Sequence, residues 1–193
     1  MNGGYVGNAG LFLIQTVFGL YILAVMLRFL LQWVRADFYN QMVPVLVKIT
    51  NPLLTPLRRL VPGLLGIDLA AVVLMLLLQA LELYLVGWTL GATLPLTTLV
   101  LGSVAKILGL LIGVYFWVIL IQVILSWVNP QSYNPAISLI YSLTEPVLRP
   151  ARRLLPDLGG LDLSPLVVIV LLQLARMLVV APLRDLAGLP AGF

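Results

Sequence analysis

The sequence contains no cysteine and no histidine, and charged residues make up only 9% of its 193 positions. Without these residue types the chain has no disulfide, no thiol nucleophile, no Cys/His zinc site and no histidine to act as a general acid or base near neutral pH. The seven acidic residues are dispersed along the chain. We therefore expect no enzymatic activity, no catalytic residue, no metal site and no cofactor.

The scarcity of charge is matched by an excess of apolar residues, which make up 62% of the chain against about 45–50% in ordinary globular proteins. A soluble fold needs more polar residues to cover its surface, so we expect lipid to surround this protein. A bilayer core is about 30 Å thick and takes a helix of roughly 20 apolar residues. Four runs meet this requirement, the last being the shortest: Leu11–Leu31, Leu69–Trp88, Val104–Leu125 and Leu166–Ala181.

The distribution of basic residues predicts how these helices are oriented. Only Lys106 and Arg184 flank the runs on one side. The segments after the first and third runs contain Arg35, Lys48, Arg58, Arg59, Arg149, Arg152 and Arg153. Because cytoplasmic loops are enriched in Lys and Arg, both segments are predicted to be cytoplasmic, with both termini outside the inner (plasma) membrane. Arg28, near the end of the first run, is expected to extend its guanidinium group to the interface.

The chain also contains an internal repeat. A shift of 94 positions aligns Gly19–Gln79 with Gly113–Gln173 without a gap, and 23 of the 61 pairs are identical. The identities that a leucine-rich composition does not explain include Trp33/Trp127, Asn40/Asn134, Pro52/Pro146, Arg58/Arg152, Arg59/Arg153 and Asp68/Asp162. Because each copy holds two spans, both copies insert the same way up.

The predicted fold is therefore an all-α membrane protein with four transmembrane helices in two parallel tandem repeats, residues 1–95 and 96–193. Each repeat consists of a helix, a basic amphipathic interfacial segment and a second helix. The core of each segment, Asn51–Pro62 and Glu145–Pro156, begins with a residue that precedes a proline. That pattern predicts a short helix capped at its first residue and ended by its last proline. The conformation of residues 37–50 is left open.

The arginines of these segments have two interpretations. They either orient and anchor the chain on anionic lipid, or form a docking surface for a lipid head group or another protein. The residues concerned are Arg58, Arg59, Arg149, Arg152 and Arg153. The expected partners are anionic head groups and either another membrane protein or a second copy of the chain. Nucleic acid is not expected, because no aromatic residues accompany the arginines to stack on bases.

Two aspartates, Asp68 and Asp162, each precede an apolar run. We expect them to cap the helix that follows or to pair with the nearby arginines. The alternative is that they flank a path for a cation.

Two residues of opposite charge lie inside the second and the fourth predicted spans. Glu82 and Arg176 occupy the same repeat position and have opposite charge, which predicts an ion pair between the repeats. Gln79 and Gln173 lie one turn earlier on the same helix faces. The alternative interpretation is a polar track for an ion, formed by these four residues.

The two proline-framed cores carry a family resemblance. Both read Asn/Glu-Pro-x-Leu-x-Pro-x-Arg-Arg-Leu-x-Pro, and Gly-x-Asp-Leu follows at Gly66–Leu69 and Gly160–Leu163. Over nearly its whole length the chain resembles the YggT family of small bacterial membrane proteins, which is related to the YlmG-type proteins of plastids and other bacteria. The resemblance implies no known enzymatic activity and no active site. It implies a link to osmotic stress tolerance, and through the plastid relatives to nucleoid organisation and the assembly of membrane complexes.

These observations favour a non-enzymatic inner-membrane scaffold, or an assembly or stress-response factor linked to osmotic tolerance. The alternative is a cation channel or transport component, in which several copies build the path.

Overall fold

The computed structural model describes residues 4–36, 42–64, 66–128, 134–155 and 162–189, with residue 6 described by its backbone only. Within these ranges the chain is helical apart from short connections, which confirms the all-helical prediction for the described residues. The helices are α1 (Gly4–Trp33), α2 (Val43–Leu60), α3 (Leu69–Thr89), α4 (Leu96–Val128), α5 (Pro135–Leu154), α6 (Ser164–Ala175) and α7 (Ala181–Leu186), with a π-helical turn at Arg176–Val180 between the last two.

The described residues contain four helical stretches that are long and apolar enough to cross a membrane, at 7–33, 69–89, 96–128 and 164–186. These stretches confirm the four predicted runs. The third is longer than predicted, because α4 begins at Leu96 rather than near Val104. The added turns contain polar residues. One of them, Ser103, makes its hydrogen bond within the helix, since its hydroxyl donates to the Leu99 carbonyl at 2.6 Å.

The fourth stretch is interrupted by the π-helical turn, and Pro182 accounts for it. Proline has no backbone N–H, and its ring clashes with the carbonyl four residues earlier in a regular helix. Just before this proline the backbone widens, and the Ala181 N–H bonds the Arg176 carbonyl five residues back. The helix therefore continues beyond the predicted end at Ala181, to Leu186.

The spanning helices pack in a chain of neighbours. Helix α1 lies along α3, α3 lies along α4, and α4 contacts α5, α6 and α7. The main buried cluster joins Ile22, Val25 and Met26 of α1 with the small residues Ala70 and Ala71 of α3. Because lipid tails are as apolar as leucine, close packing of this kind holds membrane helices together better than the hydrophobic effect does.

Helices α2 and α5 differ from the short capped helices predicted at Asn51 and Glu145. Helix α2 begins eight residues before Asn51, and α5 begins ten residues before Glu145. The side chain of Asn134 caps the start of α5 by accepting from the Ala136 N–H at 2.9 Å. Both helices run through two internal prolines, because tertiary packing outweighs the lost hydrogen bonds. Helix α2 lies against α1 and α3, and α5 lies against α4 and α6. Residues 43–50, left open above, are helical.

Helix α1 ends in a tight turn at Arg35. This residue has a φ of 52°, in the left-handed region that normally favours glycine or asparagine. The turn places the Ala36 N–H 2.9 Å from the Leu31 carbonyl and the Arg35 N–H 3.2 Å from the Gln32 carbonyl. Both bonds satisfy carbonyls that the end of a helix leaves unpaired.

Candidate functional site

The first candidate site is the arginine cluster of the first half, which we define as Arg28, Gln32, Thr50, Asn51, Arg58 and Asp68. Arg28 is only 7% exposed, and its Nη1 donates to Thr50 Oγ1 at 2.6 Å and to Asn51 Oδ1 at 2.8 Å. These bonds fasten α2 to α1. The guanidinium group of Arg28 therefore reaches α2, which covers it.

Arg58 completes the first cluster. Its Nε lies 3.1 Å from Asp68 Oδ2, and its Nη2 forms an ion pair with the same oxygen and a 3.1 Å hydrogen bond to Gln32 Oε1. Asp68 in turn caps α3, because its Oδ1 accepts from the Ala71 N–H at 3.3 Å. Asp68 is buried, and Arg58 therefore links α2 to α3 through an enclosed carboxylate and to α1 through Gln32.

The second arginine cluster consists of Gln122, Thr144, Glu145, Arg152, Asp162 and Ser164. Arg152 Nε donates to Asp162 Oδ2 at 2.9 Å, and Arg152 Nη1 donates to Glu145 Oε2 at 2.8 Å. Asp162 Oδ1 accepts from the Ser164 N–H at 2.9 Å at the start of α6. The Arg152–Asp162 pair repeats Arg58–Asp68 at positions 94 residues later, but the carboxylate of Asp162 is partly exposed where that of Asp68 is buried.

The charges of this second cluster stabilise one another. Partial burial disfavours the charged carboxylate, but the hydrogen bonds from Ser164 and Arg152 outweigh that effect and hold the pKa of Asp162 below its ordinary value. Burial likewise opposes the charged guanidinium, yet Asp162 and Glu145 raise the pKa of Arg152. Both groups are therefore charged at neutral pH.

Each Arg-Arg pair divides into one arginine that is held by an aspartate and one that has no partner among the described residues, although both have exposed side chains. Arg58 and Arg152 hold the aspartates, as described above. Arg59 and Arg153 are exposed, as is Arg149, and none of these three makes a hydrogen bond or ion pair with another described residue. The five arginines predicted as one binding set thus have two different environments.

A polar cavity of about 320 Å³ lies among α1, α3, α4 and the π-helical turn. Glu82 and Lys106 form an ion pair of 3.0 Å at its edge, and Gln79 Nε2 donates to the other Glu82 oxygen. The predicted pair of Glu82 with Arg176 is therefore not the one that forms. Lys106 takes that place because α4 packs along α3 and begins early enough to bring Lys106 to the level of Glu82.

Arg176 nevertheless lines the same cavity, together with Arg184 of α7. The Arg176 side chain is exposed and makes no hydrogen bond or ion pair with any residue that the structure describes. Gln173 is half-buried on α6 and is not among the residues that line this cavity, so the structure brings three of the four proposed track residues together. Sequence reasoning placed Lys106 near the start of the third span but used it only to orient the helices, so its pairing with Glu82 was missed.

Comparison with known proteins gives two matches to one family model, CCB3/YggT, over residues 7–89 and 101–183. An uncharacterized protein of Pseudomonas aeruginosa is 46% identical over 187 residues, covering 96% of this chain and 95% of its own. An uncharacterized protein of Vibrio alginolyticus is 44% identical over 176 residues, covering 89% of this chain and 93% of its own. The uncharacterized protein YggT of Escherichia coli K12 is 38% identical over 171 residues, covering 88% of each chain.

No solved structure is significantly similar to the chain. The family match covers most of the sequence in two segments, the relatives align over nearly their full length, and four helices have the length and composition of membrane spans. The chain belongs to the CCB3/YggT family.

Proposed function

We propose that the protein is a non-enzymatic scaffold or assembly factor of the inner membrane that contributes to osmotic stress tolerance. In this proposal it spans the bilayer four times as two parallel repeats, residues 1–95 and 96–193. Helices α2 and α5 lie as amphipathic helices on the cytoplasmic surface, and both termini face outward.

Several observations support this arrangement. The family model matches twice, at a spacing of 94 residues, and the two arginine clusters recur at that spacing. Both clusters lie at the start of a spanning helix, α3 or α6, where the basic segment meets the bundle. Most of the basic residues belong to this end of the molecule, which is the distribution typical of a cytoplasmic face.

The observation that carries the proposal is the exposure of Arg59, Arg149 and Arg153 on helices that are themselves held in place. Because Arg28, Arg58 and Arg152 fix α2 and α5 against the spans, binding to the exposed arginines costs little ordering of the backbone. Each basic residue beside an anionic leaflet contributes about 1 kcal/mol. The three side chains therefore suit anionic head groups, and the same surface suits an acidic segment of a second membrane protein or of a second copy.

The acids that the structure describes in these sites support a role without catalysis. Asp68, Glu82, Glu145 and Asp162 each form an ion pair with a lysine or arginine. Each of these carboxylates thus serves as the counter-ion of a neighbouring cation in the folded protein.

The polar cavity is the observation that favours the alternative, a transport component. Among the described residues its lining holds one carboxylate, Glu82, which is already paired with Lys106, and a further cation, Arg176, that has no described partner. An excess of positive charge repels cations, so the cavity supports a cation path less well than the exposed arginines support docking.

The test uses matched variants of the full-length chain in a strain that lacks its own copy. Replacing Arg59, Arg149 and Arg153 by Gln removes exposed charge only, so the variant should reach the parent's abundance in the membrane but fail to restore growth at high osmolarity. The control is Arg149→Gln alone, which leaves Arg59 and Arg153 in place and should restore growth. Full restoration by the triple variant at normal abundance would contradict the proposal, as would a selective potassium or sodium flux through the purified protein in liposomes.

A further inference from the structure

The polar cavity has a charge that its own residues do not balance. Lys106 is paired with the carboxylate of Glu82, whereas Arg176 has no partner among the described residues, so its positive charge is not balanced by the described lining. Glu82 already accepts from both Lys106 and Gln79, one on each oxygen. No further acidic side chain lines the cavity within the described residues.

Arg176 lies beside an ion pair that is mostly enclosed in the bundle, since the Glu82 and Lys106 side chains are 5% and 23% exposed. Glu82 is seven residues before the end of α3, which places it roughly 10 Å from that end at about 1.5 Å per residue. It is also at the opposite end of α3 from Asp68 and the first arginine cluster. Positive charge at such a depth is unfavourable unless it meets an anion or water, and such residues mark functional sites in membrane proteins.

We propose that this cavity is a binding site for a phosphate group, with Arg176 as its main contact and Lys106 beside it. The planar guanidinium of Arg176 offers parallel N–H donors that match two phosphate oxygens, and it has no described partner of its own. Lys106 uses one donor on Glu82 and has others to share. The volume of about 320 Å³ holds a phosphate group together with several waters, since a water occupies about 30 Å³ in the liquid.

Two features keep the site open. Gly19 and Gly109 line the cavity, and a Cβ added at Gly19 would meet no atom within 4 Å. Arg176 is exposed, so a ligand reaches it from the surface of the bundle. Arg176 also begins the π-helical turn, a feature that is frequent at functional sites.

The phosphate comes either from the head group of an anionic lipid or from free phosphate in solution, and the chemistry of recognition is the same for both. The inference is independent of the docking role proposed above, because it concerns other residues at the far end of α3.

The test is ligand binding to purified full-length protein that carries Arg59→Gln, Arg149→Gln and Arg153→Gln, so that head groups do not bind at α2 and α5. One arm titrates dioleoylphosphatidylglycerol into neutral detergent micelles, with dioleoylphosphatidylcholine as its control. The other arm titrates sodium phosphate, with sodium chloride at equal ionic strength. The readout is the midpoint of thermal unfolding, from which an apparent Kd is obtained.

Two further variants identify the site. Arg176→Gln should weaken binding about tenfold or more, because it removes a charged hydrogen-bond donor. Gly19→Leu should abolish binding by filling the cavity. Gly113→Leu is its matched control, since Gly113 is the repeat equivalent of Gly19, also has open space around its Cβ position, and does not line the cavity.

Binding of phosphatidylglycerol that depends on Arg176 and Gly19 would support the site and identify a lipid as the source. Binding of sodium phosphate with the same dependence would support the site and identify free phosphate. The proposal is overturned if neither anion raises the midpoint above its control. It is equally overturned if Arg176→Gln and Gly19→Leu bind as Gly113→Leu does.

Discussion

The two arginine clusters are built from one sequence motif, yet they differ in how completely they are satisfied. In the first, Asp68 has a side chain that is 5% exposed, and Arg28 supplies bonds from α1 to both Thr50 and Asn51. In the second, Asp162 is 46% exposed and Gln122 stands where Arg28 would be. Gln122 Oε1 is buried there without a hydrogen-bond partner among the residues that the structure describes.

The difference shows that the first cluster fixes its half of the protein more firmly than the second does. A buried and fully paired charge is costly to disrupt, whereas an exposed pair contributes little. Both clusters hold one arginine and leave a neighbouring arginine, Arg59 or Arg153, exposed, but the helix that carries Arg59 is held more firmly than the helix that carries Arg153.

The largest difference is expected on replacing the residues at the Arg28 position. Arg28→Leu leaves Thr50 and Asn51 without a charged donor and should lower the free energy of unfolding by about 3 kcal/mol. Gln122→Leu removes an unpaired buried oxygen and should be neutral or stabilising by up to about 1 kcal/mol. Unfolding in mixed micelles measures both. Equal losses in the two variants would show that the clusters do not differ in this way.

A smaller difference is expected at the aspartates. Asn can still cap a helix, so Asp68→Asn and Asp162→Asn remove the charge alone. Asp68→Asn should destabilise the protein by about 2 kcal/mol, which is less than the loss of a fully buried pair because Arg58 is partly exposed. Asp162→Asn should destabilise it by less than about 1 kcal/mol. The same unfolding assay applies, and a larger loss from Asp162→Asn would reverse the comparison.

Acid should weaken the exposed cluster gradually. Because the folded pKa of Asp162 lies below its ordinary value of 3.8, its ion pair stabilises the fold above that value and loses its contribution as pH falls through the lowered pKa. The stability difference between the parent and Asp162→Asn should be constant near neutral pH and should shrink below about pH 4. A difference that grows on acidification would have the wrong sign.

The smallest effect is expected at the end of α1. Arg35 adopts a left-handed conformation, while the repeat equivalent is Asn129, which lies outside the described residues. Asparagine tolerates this conformation better, so Arg35→Asn should stabilise the protein by about 0.5 kcal/mol. The control is Arg59→Asn, which changes the same charge at a helical position and should give no such gain.

The sequence predicted the four spans and the family because long apolar runs and a spaced proline-arginine motif are local signals. It did not predict the length of α2, because a proline after Asn51 is also the pattern of a helix start. The burial of Thr50 and Leu54, which accompanies the longer helix, cannot be read from the sequence. The predicted ion pair of Glu82 with Arg176 rested on repeat symmetry alone. The pairing with Lys106 depends on how far α4 extends and which helix it packs along, and both are tertiary properties.

The most direct test of the central claim compares the two arginines of each pair for binding of phosphatidylglycerol. The measurement is an apparent Kd in phosphatidylcholine nanodiscs, with Gly19→Leu present throughout to block the polar cavity. The account predicts that Arg59→Gln with Arg153→Gln weakens binding at unchanged stability. It predicts that Arg58→Gln with Arg152→Gln lowers stability instead, while folded protein still binds. Equal binding by the parent and the Arg59/Arg153 variant would contradict the claim that the exposed arginines form the docking surface.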